Sequence, residues 1–545
     1  MSEGALGEIT LVRDAASCRE WLDSLELAES ERMAVIDRLW SSLERSKSPP
    51  DLVLEILEQA RATHIRDCEA VLQEMGAVQF PMPAAQWRTL HRVLASLRMA
   101  RDLYKRTYVR LVEDSGVSTH VVIPGSTNSL RTVMPLARAL DYQARVLQTL
   151  MFKRVVLEPD EWLEFSTLIH HLRASTFLDV ALPDEVPLFK GANARALFVY
   201  PLLLNAARPE AHDDAEMSLI DRLARRWAGK VGFRMDEDGR IYENRHGPTL
   251  ALSDRCAVRL DTHRLVSRLQ TRITALDSAD AGGELRLPRG LTRERALRLL
   301  DELRLCWSEA YRPWRLQSTT AGSAALRFGP PALRAKAGKA SQPAASGVAS
   351  MAYVFGRYEH NTIIRMATGA DAGPRNALAE LMTDADAGFW QGRTGDQACF
   401  ERFAISPLKL GTLVAVAVAD PAADTADATT APTLHLGRIT SLQQAGKAEL
   451  GSTRAQRVGV LMWPKRGQLV GLRLADDAFY EDVYYLPAGS RASDVASLIV
   501  APGRWRSGTS AMLRTPQRDL RIHVEVLLEK GADFERIRIR LVDRT

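Results

Sequence analysis

Residues 87–111 read WRTLHRVLASLRMARDLYKRTYVRL. Trp87, Leu90, Leu94, Leu97, Tyr104, Tyr108 and Leu111 fall at helical spacings, with Arg101 in the one polar slot. Such spacing gathers the apolar side chains on one face of a 3.6-residue helix. Working outward, the same period recurs in Met33, Ile36, Leu39, Trp40 and Leu43, and in Leu54, Leu57, Ile65, Cys68 and Leu72. Ser48-Pro49-Pro50 breaks the chain between these two, with Pro50 suited to a first helical turn, and Gly76 is a stop signal. Leu136, Leu140, Leu147 and Leu150 mark a further helix, and Leu219, Leu223 and Trp227 another. Residues 1–230 are therefore expected to form an all-α domain, a bundle of helices whose short connections favour antiparallel neighbours.

The pattern changes near residue 230. Gly232-Phe233-Arg234-Met235 through Tyr242-Glu243-Asn244 reads as a hairpin around Asp236-Glu237-Asp238-Gly239, followed by helices from Thr262 to Leu276 and from Thr292 to Tyr311. This makes 231–311 a mixed α/β connecting domain. From about 395 onward short apolar runs dominate: Leu413–Val418, Arg457–Trp463, Gln468–Leu472 and Ser497–Val500. Ile522-His523-Val524-Glu525-Val526 and Ile537-Arg538-Ile539-Arg540-Leu541 alternate cleanly, the mark of strands buried on one face. Residues 312–545 are accordingly expected to form an antiparallel β-barrel, with mobile inserts rich in Ala, Pro, Gly and Ser or Thr at 329–349 and 420–432. The fold class is α+β, a helical bundle followed by a barrel.

The chain has 545 residues, 46% of them hydrophobic, which excludes wholesale disorder. Its 72 basic and 67 acidic residues leave a net charge of +5, too balanced for a protein dedicated to a nucleic-acid polymer. The five cysteines are far apart, with no CxxC pair, so neither a disulfide framework nor a zinc knuckle is indicated. The first residues, MSEGALGEITLVRD, lack the apolar run of a signal peptide, and no stretch reaches the roughly 18–20 apolar residues of a membrane helix. A cytoplasmic protein is expected.

Catalytic signatures are missing: there is no GxSxG elbow, HExxH, P-loop or GxGxxG, and no enzyme is expected. His212-Asp213-Asp214 reads as an acidic helix start rather than a metal site. His170-His171 reads as one packed and one solvated imidazole, because adjacent helical residues point about 100° apart. Arg536, Arg538 and Arg540 read as the wet face of a strand, with a basic strip for anions as the alternative. Arg312-Pro313-Trp314-Arg315, between the last helix and the β-rich region, offers two guanidiniums that can fork onto phosphates, beside a stacking indole. Paired arginines at such a junction also commonly make interdomain ion pairs.

Together with Leu260-Asp261-Thr262, Val354-Phe355-Gly356-Arg357, Gly411–Ala415, Leu436–Ile439, Tyr484–Pro487, Ser497–Gly503 and Gly531–Arg536, that motif resembles the PilZ-type cyclic-di-GMP receptors. The likeness is closest to the long helical-plus-PilZ-like proteins, and it covers roughly 240–545. It implies a lead-in RxxxR motif, here RxxR through Arg312 and Arg315, and a (D/N)xSxxG motif. The counterpart of the latter is Thr383-Asp384-Ala385-Asp386-Ala387-Gly388, which keeps Gly388, has Thr383 at the acid position and Ala385 at the serine position, and offers Asp384 or Asp386 as the substitute after a register shift. The resemblance thus implies cyclic-di-GMP as ligand, no cofactor or metal, and Arg312, Arg315, Asp384, Asp386 and Gly388 as its contacts. A protein partner is expected on the helical half. The alternative is an adaptor whose degenerate PilZ-like domain binds no nucleotide.

Overall fold

The computed structural model describes residues 12–115, 127–174, 177–180, 185–236, 246–253, 256–277, 287–311, 322–328, 387–394, 397–402, 407–418, 433–444, 455–463, 468–474, 480–488, 495–503, 505–514 and 519–542. The chain divides into two compact units. One comprises Met1–Val78 and Met82–Pro313, the other Gln79–Pro81 and Trp314–Thr545.

Among its described residues the first unit begins with eight α-helices: α1 (Ala15–Ser24), α2 (Glu29–Arg45), α3 (Pro50–Glu74), α4 (Ala84–Ser115), α5 (Thr127–Phe152), α6 (Pro159–Ala174), α7 (Ala194–Ala206) and α8 (Asp214–Ala228). Local chemistry sets their ends. Asp14 and Asp213 each build a capping box at the start of α1 and α8. Pro50 occupies the first turn of α3, where its missing N–H costs nothing, and Gly76 follows the helix in the left-handed region at φ 69°. The stripe read from residues 87–111 is buried at Trp87, Leu90, Leu94, Leu97 and Tyr104. Helix α5 is enclosed from Val133 to Met151, polar residues included. One continuous apolar cluster runs from Cys18 to Trp307.

A three-stranded antiparallel sheet follows, formed by β1 (Gly232–Asp236), β2 (Thr249–Ser253) and β3 (Cys256–Asp261) in the order β1-β3-β2. The strand at 232–236 thus pairs with β3, while residues 242–244 of the expected hairpin lie outside the described residues. Helices α9 (His263–Asp277) and α10 (Arg293–Cys306) complete the unit. The second is shorter than the expected Thr292–Tyr311, with Thr292 as the N-cap before its first residue, Arg293.

The second unit contains two closed six-stranded barrels where a single one was expected. The first uses β4 (Gly322–Phe328), β5 (Ala387–Thr394), β6 (Gln397–Arg402), β7 (Leu413–Val418), β8 (Thr433–Gln444) and β9 (Gln456–Met462), in the order β4-β5-β6-β9-β8-β7. The second uses β10 (Gln468–Leu474), β11 (Glu481–Leu486), β12 (Ser497–Val500), β13 (Ser510–Arg514), β14 (Asp519–Lys530) and β15 (Glu535–Leu541), in the order β10-β11-β12-β15-β14-β13. All pairings are antiparallel. The α-then-β order and the antiparallel closed barrel are as the sequence led us to expect. The division into two was not legible, because apolar alternation marks an inward face without saying which barrel it closes.

A shared seam joins the barrels. Leu413, Leu436 and Trp463 of the first cluster with Tyr484, Leu486, Ile499 and Phe534 of the second. The Ala532 amide donates to the Gly411 carbonyl at 2.9 Å, and the Leu413 amide to Asp533 Oδ1 at 2.9 Å. Gly411 holds φ 79°, and a Cβ on Gly531 would stand 2.7 Å from the Gly411 carbonyl oxygen, so both glycines are required by the approach.

Candidate functional site

Of the five residues expected to meet a ligand, Arg312, Arg315, Asp384 and Asp386 lie outside the described residues, as do the inserts at 329–349 and 420–432. Gly388 lies near the start of β5, where it pairs with Ala324 of β4 and Arg402 of β6. It is therefore a ladder position flanked on both sides. The ladder between β5 and β6 is offset between Trp390 and Gly392, a bulge that increases local twist.

The Arg536, Arg538 and Arg540 strip behaves as a strand's outer face. Arg538 and Arg540 both approach Glu525, at 2.8 and 3.6 Å, and Arg536 donates to Ser497 and lies over the Trp463 ring. His212 is buried and engaged on both nitrogens, by Glu216 at 3.3 Å and the Ala207 carbonyl at 2.9 Å, while Asp213 caps α8. The cluster is a helix start, as read. His170 and His171 depart from expectation: both rings are exposed, because this end of α6 turns neither of them to the core.

The helical unit carries two polar features that the periodicity did not reveal. The first is a chain of three buried side chains that ends on the partly buried Asp37. Ser96 Oγ donates to Asp37 at 2.5 Å and lies 2.7 Å from His64 Nε2, whose other nitrogen is 3.1 Å from the Tyr142 hydroxyl. The ordering consistent with these contacts has Tyr142 donating to Nδ1, Nε2 donating to Ser96, and Ser96 donating to Asp37. Burial, aided by the nearby Arg145 and Arg61, pushes the His64 pKa down to about 3, and burial pushes Asp37 up to about 6.

Beside it, Asp141 sits between Arg61, at 2.5 Å, and Arg145, at 3.2 Å, with all three side chains buried. Burial alone would raise the Asp141 carboxyl, but the two guanidiniums outweigh it and hold the group below its usual range. Arg145 also reaches Glu69 at 2.7 Å and the Val186 carbonyl at 2.7 Å. Hydrophobic patterning treats α5 as a stripe with polar residues outside, so polar positions on its inner face had no signal beyond their number.

The second feature is a cleft of about 610 Å3 whose walls include Cys68, Glu69, Leu72, Arg145, Lys153 and Arg225. Lys153 Nζ lies 3.4 Å from the carbonyls of Leu72 and Gly76, at the end of α3, and burial lowers its pKa against the pull of Asp214. Arg225 is held by Asp221 at 2.8 Å. Three cations, two acids (Glu69 and Asp214) and an apolar floor of Leu72, Leu97 and Phe152 line one concavity. Its volume lies in the usual range for small-molecule sites.

Among the described residues no helix is long and apolar enough to cross a membrane. No curated protein and no solved structure matches the chain. Residues 16–237 match the family model described as the N-terminal domain of the cyclic-di-GMP receptor FimW. That match starts at the second residue of α1, runs through α8 and the cleft, and ends one residue beyond β1: this part of the chain is similar to the N-terminal domain of a cyclic-di-GMP receptor.

Proposed function

We propose that the chain is a non-catalytic cytoplasmic effector that binds cyclic-di-GMP at its PilZ-like segment and relays binding to a protein partner through its helices. The observation that carries the reading is the match of residues 16–237 to the N-terminal domain of a cyclic-di-GMP receptor. A closed antiparallel barrel with Gly388 in β5 supports it, since the likeness to PilZ-type receptors asks for a glycine on an early barrel strand behind an arginine lead-in. Arg312 and Arg315 neutralise the two phosphates and stack on guanine, Asp384 and Asp386 accept from the guanine edge, and Gly388 permits close backbone approach. A shift toward the partner-binding state requires the ligand to favour that state energetically.

One observation favours a second location. The matched family covers the helical domain, and the cleft lined by Arg145, Lys153 and Arg225 lies within it. Titration calorimetry with cyclic-di-GMP separates the two. Binding lost in Arg312→Ala/Arg315→Ala and kept in Lys153→Glu supports the PilZ-like site, and the reverse pattern moves the ligand to the cleft. Absence of heat with the wild-type chain at high micromolar ligand removes the receptor reading and leaves the adaptor.

A further inference from the structure

Two imidazoles and a carboxylate converge at the small sheet of the first unit. His246 stands just before β2, Asp261 ends β3, and His263 opens α9. One ligating atom from each lies within 4.8 Å of the other two. His263 Nδ1 is 2.5 Å from Asp261 Oδ1, and the two imidazole centroids are 6.0 Å apart with their planes at 64°. All three side chains are exposed.

The backbone beneath them is fixed. Thr262, fully buried between Asp261 and His263, donates its amide to the His246 carbonyl at 2.9 Å, and its hydroxyl bonds the Trp307 carbonyl. The Leu260 amide bonds the Pro248 carbonyl at 3.0 Å, extending the β2–β3 ladder toward His246. The approach depends on Gly247. A Cβ there would lie 2.2 Å from Thr262 Oγ1 and 2.5 Å from the Leu260 carbonyl oxygen, so any other residue would push His246 away from Asp261 and His263. The side chains are at the surface, but the positions from which they project are set by buried groups.

We propose that His246, Asp261 and His263 form a binding site for a divalent transition metal of the zinc class. Two nitrogens and one carboxylate oxygen form the borderline donor set that zinc takes, and they differ from the all-oxygen cages of calcium and magnesium. With metal–ligand bonds of about 2.0–2.1 Å, tetrahedral ligand atoms stand about 3.3 Å apart. Exposed side chains close from the present spread to that distance by rotamer adjustment, with no backbone movement. The ion replaces the proton held between Asp261 and His263, and the remaining coordination position faces solvent, open to water or to a ligand from a partner. The competing reading is a simple imidazole–carboxylate hydrogen bond beside a second histidine.

The untagged full-length chain decides between them. Zn2+ is titrated in competition with a chromophoric chelator, and Co2+ by its visible absorption. One equivalent bound at micromolar or tighter affinity, with the intense visible bands of four- or five-coordinate Co2+, is the expected result. His246→Gln and His263→Gln each weaken binding at least about tenfold, Asp261→Asn weakens it measurably, and His170→Ala/His171→Ala leaves it unchanged. Because the three side chains are exposed, their variants keep the wild-type circular dichroism spectrum. Binding that survives in the His246→Gln/His263→Gln variant, binding that vanishes with His170 and His171, or only the weak bands of octahedral aqua Co2+ would overturn the assignment.

Discussion

His64 is buried and engaged on both ring nitrogens, and its pKa is displaced from 6.5 to about 3 by desolvation and two neighbouring arginines. Below about pH 6.5 the unfolded chain takes up a proton that the folded protein refuses, so this residue withdraws stability as pH falls toward about 3. Asp37, raised to about 6, acts with the opposite sign: its folded form gains relative stability as pH falls through that value toward 3.8. Replacing His64 by Gln keeps a donor and an acceptor but removes the titration. We expect His64→Gln to be less stable than wild type at pH 7, and the gap to narrow by roughly 3 kcal/mol between pH 6.5 and 4. Urea unfolding at several pH values measures this; a gap that does not change with pH would show that His64 is solvated in the folded protein. Asp141 gives a larger effect. Asp141→Ala removes the carboxylate that the buried Arg61 and Arg145 share, and a loss of about 3–5 kcal/mol is expected. Neither effect was legible in the sequence, where His64 and Asp141 are two unremarkable polar residues 77 positions apart on helical patterns. What brings His64 to Tyr142 and Arg61 to Asp141 is the meeting of α3 and α5, which apolar spacing permits but does not specify.

At the scale of elements, strands were read where the sequence shows an apolar run or a clean alternation, and missed where it shows neither. Leu413–Val418 and Ser497–Val500 were read with their observed bounds, while β4, β5, β6, β8, β11 and β13 were not read as strands. The turn between β14 and β15 shows what the pattern omits. It docks onto the segment leading into β7, with Asp533 accepting from the buried Leu413 amide and Gly531 packed against Phe534. Asp533→Ala leaves that amide unsatisfied and should cost about 1–3 kcal/mol in chemical denaturation, whereas Asp533→Asn retains an acceptor and should recover most of it. Gly531→Ala is expected to destabilise as well, because its methyl would stand 2.2 Å from the Phe534 ring and 2.7 Å from the Gly411 carbonyl oxygen. The backbone oxygen cannot move aside without breaking its bond to Ala532.

At the scale of the whole molecule, the two units hold separate cores. The apolar cluster of the helical unit ends at Trp307, and the barrels have clusters of their own. Scanning calorimetry should resolve this as two transitions, with Asp141→Ala lowering one and Asp533→Ala the other. In the double variant the two shifts should add, since the residues share no partner. A single transition lowered by both substitutions would show that the units unfold as one.

The sequence by itself determined the order of the molecule: helices first, antiparallel strands after, caps and breaks where Asp, Pro and Gly dictate them. It did so because hydrophobic periods and backbone preferences are local, readable within a window of a turn or two. Only the tertiary structure decided that the strands close two barrels, that Asp141 balances two arginines, and that His246 faces Asp261 and His263 across a glycine. Each of these depends on which distant residues meet, and contact between distant residues is the outcome of packing rather than of any local preference.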